Sequence, residues 1–294
     1  MFKFEAWGMT DSKQILVTGA TGNIGRHVVA GLLDRGVSVR ALTRTPALAG
    51  LPDGVEAVAG DLTRPDTLRD ALAGVDAVFL LWPFLSAEGV EEVARAIAEY
   101  ARHVVYVSAA NVDDARTPAE NGLWGQVEDA VRRSGVEWTF LRPTGFATNT
   151  LEWADAIRAG RPVRIPYPEA ARSLIHERDI ADVAVRALTS PRHRDVAYVL
   201  SGPAAVTQAE QVRILGAAAG RPVPVEEATR DEARAAMLAW ADADFADGAL
   251  AYWASLVDSP ERVTGTVAEL TGRPARTFAE WAADHAGDFR PDAP

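Results

Sequence analysis

The chain contains no cysteine. Disulfides, thiolate metal ligands and a cysteine nucleophile are therefore excluded, and no metal-ligand set is expected. Lysine is almost missing as well: Lys3 and Lys13 are the only two, and arginine supplies the rest of the 30 basic residues. Chemistry that needs a lysine amine from the body of the chain is excluded with it. No apolar run approaches the ~20 residues of a membrane span, so no membrane partner is expected. Met1 to Gly8 lack the basic start, apolar middle and small-residue cleavage site of a secretory signal, which makes a cytoplasmic location the expectation. A net charge of −11 argues against nucleic acid as a partner of the whole surface, while leaving room for a local basic pocket. Repeats, low-complexity tracts and linkers are also absent.

What is present is ample apolar material. The 294 residues are 48% hydrophobic, enough for one large domain or a domain with an appended lobe. The most informative stretch runs from Ile15 to Val29, Ile-Leu-Val-Thr-Gly-Ala-Thr-Gly-Asn-Ile-Gly-Arg-His-Val-Val. An apolar strand leads into glycines spaced three apart, and an apolar helical run follows at once. Gly19 permits the tight turn, Gly22 leaves room for a pyrophosphate, and Gly25 lets the helix pack on the strand. Between them Thr21, Asn23 and Ile24 bring the backbone N–H groups of a helix N-terminus toward phosphate. The bland alternative is an ordinary glycine-rich strand-to-helix turn.

The next strand, Val37–Arg44, bears on that choice. A dinucleotide fold that takes NAD places a carboxylate about 20 residues past the glycines to hold the ribose 2′-hydroxyl. This strand ends in Thr43 and Arg44 instead. A cation suits a 2′-phosphate, so the expected cofactor is NADP(H), with NAD(H) the alternative. Arg40 shares the strand face of Arg44 by period two and is a second candidate for the phosphate.

Strands and helices continue to alternate. Strands are expected at Val55–Leu62, Ala77–Leu81, His103–Ser108 and Glu137–Leu141, with helices at Asp66–Leu72, Gly89–Arg102 and Asn121–Ser134. The pattern predicts an α/β Rossmann fold, a doubly wound parallel sheet, with a small, mainly helical C-terminal lobe. Ligands in such sheets bind beyond the carboxyl ends of the strands. Gly19–Gly25, Arg44, Asp61, Leu81–Phe84 and Ser108–Asn111 are therefore expected to converge. Residues 1–13 read as a flexible extension, with Met9 an alternative start. Residues 14–143 form the dinucleotide-binding core, to which 172–202 return. Residues 144–171 and 203–294 form the substrate lobe. Within it, helices are expected at Leu151–Ala159 and at Ile180–Leu188 with Asp179 as N-cap, an extended segment at Arg161–Pro168, and a strand at Ala197–Leu200. Thr229–Glu232 and Thr277–Glu280 match the capping box.

Thr18–Gly25, Arg44, Gly60-Asp61-Leu62, Ser108, the run from Glu128 through Arg142-Pro143 to Phe146 and Asn149, Ile175–Ala184 and Thr277–Trp281 together resemble the NmrA-like group of atypical short-chain dehydrogenase/reductases. The resemblance spans roughly Gln14 to Arg290. It implies an NAD(P)-binding Rossmann domain, with Asp61 and Leu62 at the adenine and Leu81, Trp82 and Pro83 beside the ribose and nicotinamide. Asp61 could equally cap the following turn, and Trp82 could equally be packing. Asn149 falls where the family often has an asparagine facing substrate; its alternative is a loop-stabilising amide. Asn111, Phe146 and Tyr167 complete the substrate candidates.

The chain departs from its larger superfamily in the catalytic residues. That branch uses a serine, a tyrosine and a lysine four residues beyond the tyrosine, whose charge lowers the tyrosine pKa. None of Tyr100, Tyr106, Tyr167, Tyr198 and Tyr252 has such a lysine. Ser108 matches the family serine and is the one catalytic candidate, against the alternative of a strand-end cap. Trp124 stands where some quinone-reductase relatives carry histidine. Tyr167 and His176 are other possible proton donors, though His176 sits in what reads first as a structural strand-to-helix junction. The arginine-rich, alanine-rich composition resembles that of actinobacterial ketone and quinone reductases. The resemblance therefore implies an NADPH-dependent ketoreductase of a bulky aromatic ketone, such as a polycyclic angucyclinone-like polyketide in antibiotic biosynthesis. A quinone reductase and a cofactor-sensing regulator are the alternatives. The oligomeric state is left open.

Overall fold

A computed structural model describes residues 13–291; Met9 and all of the expected N-terminal extension except Lys13 lie outside them. The strands, in chain order, are β1 (Gln14–Val17), β2 (Ser38–Thr43), β3 (Val55–Ala59), β4 (Ala77–Leu80), β5 (His103–Val107), β6 (Glu137–Pro143), β7 (Val163–Ile165), β8 (Ala171–Arg172), β9 (Val196–Leu200), β10 (Val206–Thr207) and β11 (Val225–Glu227). The helices are α1 (Gly25–Leu33), α2 (Arg69–Leu72), α3 (Val90–Tyr100), α4 (Gly122–Ser134), α5 (Ala154–Ala159), α6 (Glu177–Thr189), α7 (Gln208–Ala219), α8 (Arg230–Met237), α9 (Ala243–Asp258), α10 (Thr266–Thr271), α11 (Phe278–Asp284) and α12 (Ala286–Phe289).

Seven strands form one sheet in the order β3-β2-β1-β4-β5-β6-β9. Its pairs from β3 across to β5 run parallel. The chain winds outward from β1 to β3, then returns to lay β4 beside β1. That reversal is the switch point at which doubly wound sheets open a ligand crevice. The fold class is the one the alternation predicts.

The chain divides into two compact units. Of the described residues, the first takes 13–107, 117–140 and 184–196. Every residue of β4 and β5 is buried, as expected for central strands covered on both faces. At the edge of the sheet, β3 has no fully buried residue. Helix α3 buries Val90, Val93, Ala94 and Ile97, one stripe at helical spacing, and its first turn carries Glu91 and Glu92, which suit the helix dipole. Arg40 is committed elsewhere than to phosphate. Its guanidinium bonds Glu56 Oε2 at 2.8 Å and the carbonyls of Ala71 and Ala73 at 2.9 and 2.7 Å. It ties β2 to β3 and to the end of α2, which removes it as a phosphate candidate. His103 is buried, its Nε2 2.8 Å from Thr139 Oγ1. The Thr139 hydroxyl donates to the His193 carbonyl, so it accepts from His103, whose Nε2 carries a proton. Burial pushes the His103 pKa down to about 4.

Of the described residues, the second unit takes 108–116, 141–183 and 197–291. Trp153, Ile157, Val163, Ile165, Leu174, Val212, Leu215, Phe278, Trp281 and Phe289 form its main apolar cluster. A smaller one gathers Ala233, Met237, Ala246 and Leu250, with Tyr167, Phe245 and Trp253 against it. Buried polar links join distant parts of the chain. Glu177 accepts from Trp281 Nε1 at 2.8 Å and from His285 Nε2 at 2.7 Å. His176 is buried, its Nε2 3.2 Å from Asp284 and its Nδ1 accepting from the Arg178 N–H. It serves the strand-to-helix junction rather than a proton-donor role. Burial opposes ionisation of Glu177, yet the hydrogen bonds it accepts hold its carboxyl far below the usual range, and its hydrogen bond lifts the pKa of His285.

Some boundaries differ from expectation. Helix α6 starts at Glu177, so Asp179 lies within its first turn and is not the N-cap. Its carboxylate instead accepts from the backbone N–H of Arg276 at 2.7 Å and from that residue's guanidinium. The helix expected over Leu151–Ala159 opens as a 3-10 turn, Ala147–Trp153, before α5. Thr229 and Thr277 both form complete capping boxes, with Glu232 and Glu280.

Candidate functional site

The loop after β1 owes its path to its glycines. Gly19 has φ +62°, left-handed backbone that L side chains disfavour. Gly25 allows a close approach: a Cβ there would stand 2.0 Å from the Gly19 carbonyl oxygen. The turn is closed by Gly22 N–H to Gly19 O at 2.9 Å. Thr18, which the sequence reading did not single out, anchors it. Its buried hydroxyl accepts from the Leu81 N–H at 2.8 Å, fixing the loop against the end of β4 at the switch point. Beyond the turn, the N–H groups of Asn23, Ile24 and Gly25 have no acceptor among the described residues. Thr21, Gly22 and Asn23 are exposed. This is a positively polarised backbone cradle for phosphate.

Three further groups of the first unit bear on a nucleotide. Arg44, exposed just past β2, makes no hydrogen bond or ion pair among the described residues. Asp61 makes a local turn: its Oδ1 accepts from the N–H and hydroxyl of Thr63 at 2.9 and 2.8 Å. Those bonds, helped by Arg64 and Arg44, hold its carboxyl below its ordinary value. Oδ2 keeps no partner among the described residues, so the cap and a ligand contact are compatible. Leu62 beside it is buried. After β4, Leu81 is half-buried and Pro83 exposed. Trp82 is buried, donates Nε1–H to the Ser86 carbonyl at 2.8 Å and meets Phe84 edge-on at 4.9 Å. Its indole shapes its own loop.

The remaining candidates belong to the second unit. Ser108 directly follows β5 and is buried; its N–H donates to Leu141 O at 2.7 Å, and Ala110 N–H to Pro143 O at 2.9 Å. Arg142, buried, forks onto Asp114 at 3.0 and 2.6 Å. That bidentate pair pins the loop carrying Asn111, which is exposed. Sequence spacing gives no sign of it beyond the Arg142-Pro143 pair. Phe146, half-buried, bridges to Ile175. Asn149 is exposed and its side chain makes no hydrogen bond among the described residues, which goes against a loop-stabilising amide. Tyr167 is half-buried with φ +53°, uncommon for a bulky residue. Buried Gln208 fixes that conformation by donating to the carbonyls of Pro166 and Tyr167 at 2.7 and 3.0 Å. Tyr106 is removed as a proton donor: it is 1% exposed in the core of the first unit, edge-on to Phe140, and burial beside Glu128 pushes its pKa up.

A family model described as NAD(P)H-binding matches residues 19–191. The chain belongs to this NAD(P)H-binding family. It is 42% identical over 295 residues to the (4-alkanoyl-5-oxo-2,5-dihydrofuran-3-yl)methyl phosphate reductase of Streptomyces griseus, covering 95% of this chain and 100% of the relative. It is 39% identical over 282 residues to the NAD(P)H azoreductase of Xenophilus azovorans, covering 94% and 99%. The NADP(H) complex of Citrobacter sp. triphenylmethane reductase superposes with a TM-score of 0.76 at 21% identity, over 92% of this chain and 99% of that one. The NADPH-dependent quinone oxidoreductase of Escherichia coli does so at 0.75 and 22%, over 92% and 98%. These two likenesses carry the fold. The family and the reductase relatives make the chain an NAD(P)H-dependent oxidoreductase of the atypical short-chain type. The turn at Gly19–Gly25, too tight for a Cβ at position 25, and the amides beside it that have no acceptor among the described residues fit a dinucleotide. Among the described residues no helix is long and apolar enough to cross a membrane.

Proposed function

We propose that this reductase prefers NADPH and reduces a conjugated carbonyl of a bulky aromatic ketone or quinone, without a Ser-Tyr-Lys triad. A polycyclic aromatic polyketide of antibiotic biosynthesis, angucyclinone-like, is the substrate class we favour. The observation that carries the reading is the state of the tyrosines. Tyr106 is sealed in the core, and no lysine follows Lys13 to activate Tyr167 or any other.

Bound NADPH supplies the hydride. Gly19, Gly22, Gly25 and the amides of Asn23 and Ile24 hold its pyrophosphate, Arg44 its 2′-phosphate, and Asp61 and Leu62 its adenine. Leu81, Trp82 and Pro83 flank the ribose and nicotinamide. Ser108 orients the acceptor oxygen, with Asn111, Phe146, Asn149 and Tyr167 around the rings. As the new C–H bond forms, the carbonyl π pair moves to oxygen, and water delivers the balancing proton. A phenol hydroxyl of the substrate beside that carbonyl donates an internal hydrogen bond to the developing alkoxide, so no strong protein acid is required. Alignment then dominates the barrier. Two of the relatives support this reading, since an alkanoyl-furanone and an azo compound are both conjugated acceptors.

The test is NADPH oxidation with matched aromatic ketones, quinones and unconjugated cyclic ketones. Turnover confined to the conjugated members is expected. Efficient reduction of the unconjugated ones, abolished by Tyr167→Phe, would overturn it. Ser108→Ala is expected to slow turnover about 100-fold at unchanged NADPH affinity. Full activity in a destabilised protein would make Ser108 a strand-end cap.

A further inference from the structure

Among the arginines of the second unit, Arg172 stands apart. Arg142, Arg164, Arg178, Arg273 and Arg276 all pair with carboxylates. Arg221 also has a shielded Nε without a partner, yet its terminal nitrogen donates to the carbonyls of Ile157 and Arg158. Arg172 lies on β8, paired with Val206 of β10. Its Nε is shielded from solvent with no partner, and its guanidinium makes no hydrogen bond or ion pair among the described residues. A half-buried cation whose shielded Nε–H is unanswered is expensive to keep.

The surroundings are built around that cation. Gly145 lies flat beneath it: a Cβ at 145 would be 2.2 Å from the guanidinium nitrogen and 2.8 Å from its carbon. A side chain at 145 would displace the guanidinium from this position, and the next residue is Phe146. The Trp253 ring faces it at 5.7 Å, a weak cation–π contact. Nearby acids do not neutralise it directly. Glu152, exposed, is within electrostatic reach but forms no ion pair with it. Glu261 is engaged by the Ser173 N–H and the Tyr252 hydroxyl. Arg172 therefore presents a planar fork of donors between an aromatic face and the Gly145-Phe146 backbone.

We infer that Arg172 anchors an oxyanion on the acceptor, a phosphate ester, sulfonate or carboxylate attached to the conjugated body being reduced. This rests on the reductase reading above and names a feature of its substrate. Arg172 is a specificity-determining residue in this role, and takes no part in hydride transfer.

The experiment uses wild type, Arg172→Met and Arg172→Lys with 1,2-naphthoquinone and its 4-sulfonate under saturating NADPH. Arg172→Met is expected to raise KM for the sulfonate roughly 10- to 100-fold, with kcat nearly unchanged and the neutral quinone unaffected. Arg172→Lys should fall between. Equal shifts for both quinones, or none for either, would overturn the inference, as would a matching loss of NADPH affinity, which would assign Arg172 to the cofactor. A second arm needs no turnover. Phenyl phosphate, benzenesulfonate and benzoate are titrated calorimetrically into NADP+-saturated protein. Wild type should bind at least one and Arg172→Met none, and the order of affinities identifies the oxyanion. Failure of wild type to bind any overturns the anchor even if quinones are reduced. Absence of quinone turnover with anion binding intact overturns the reductase substrate and leaves the anchor standing. Should Arg172→Met not fold, competition of phenyl phosphate against the neutral quinone in wild type gives the same decision.

Discussion

The two units hold themselves together by different means. In the first, β4 and β5 are buried at every residue, and the nucleotide loop is shaped by backbone, two glycines and one threonine hydroxyl. In the second, carboxylates buried in the apolar cluster reach across a hundred residues of chain, as Glu177 does to Trp281 and His285. Apolar packing tolerates small errors of position and weakens gradually. A buried carboxylate is satisfied or it is not, and the loss is abrupt. The second unit should therefore be the more easily broken by a single polar change and the first by a change in shape or protonation.

The largest effect is expected at Glu177. Glu177→Ala leaves the Trp281 and His285 donors unanswered in the interior and should cost about 3–5 kcal/mol, measured by urea unfolding. A loss below about 1 kcal/mol would erase the contrast between the units.

Next comes acid. His103 is neutral and buried, with its pKa pushed down to about 4 against 6.5 when unfolded. The unfolded chain binds the proton first, so stability is complete above pH 6.5 and falls between there and pH 4. That amounts to about 3 kcal/mol at the low end. His285 has the opposite sign: its pKa is raised, so its contribution is complete below pH 6.5 and fades as pH climbs through the folded value. His103→Gln should flatten the acid limb of the stability profile and leave the alkaline limb unchanged. Flattening of both limbs would mean that the two histidines are not independent.

A smaller effect is expected from shape. Gly25→Ala forces a methyl group onto the Gly19 carbonyl. Overpacking of about 1–3 kcal/mol should distort the loop and weaken NADPH binding about tenfold or more, with the core intact. Unchanged binding would mean that the helix start shifts freely. Smallest is Arg44→Ala. It is expected to reduce the preference for NADPH over NADH by about tenfold, the lower end for a charge-assisted phosphate contact at an exposed site. Equal affinities for the two nucleotides in wild type would remove the case for NADPH.

The same contrast decides what a sequence reveals. The Thr18–Gly25 loop and the capping boxes at Thr229 and Thr277 are legible because cause and effect lie within one turn of chain. Continuous apolar runs mark β4 and β5 for the same reason. Arg40 misleads because period two gives its strand face but not Glu56 or the carbonyls of Ala71 and Ala73. Asp179 imitates an N-cap because it precedes an apolar run, while its real partner, Arg276, is 97 residues away. Arg172 shows nothing in sequence at all: its meaning lies in what fails to meet it. The unpaired Asn149 amide belongs to the same class.

The left-handed backbone at Tyr167 has a consequence for directed evolution. Glycine or asparagine would sit there with less strain, and Gln208 would still grip the carbonyls on either side of the turn. A library randomised at 167 and sorted for thermal tolerance alone should drift toward those small residues. Sorted for reduction of an aromatic acceptor, it should return aromatic side chains against the backbone's preference. Divergence of the two pools would turn a torsion angle into a record of what the ring is kept for.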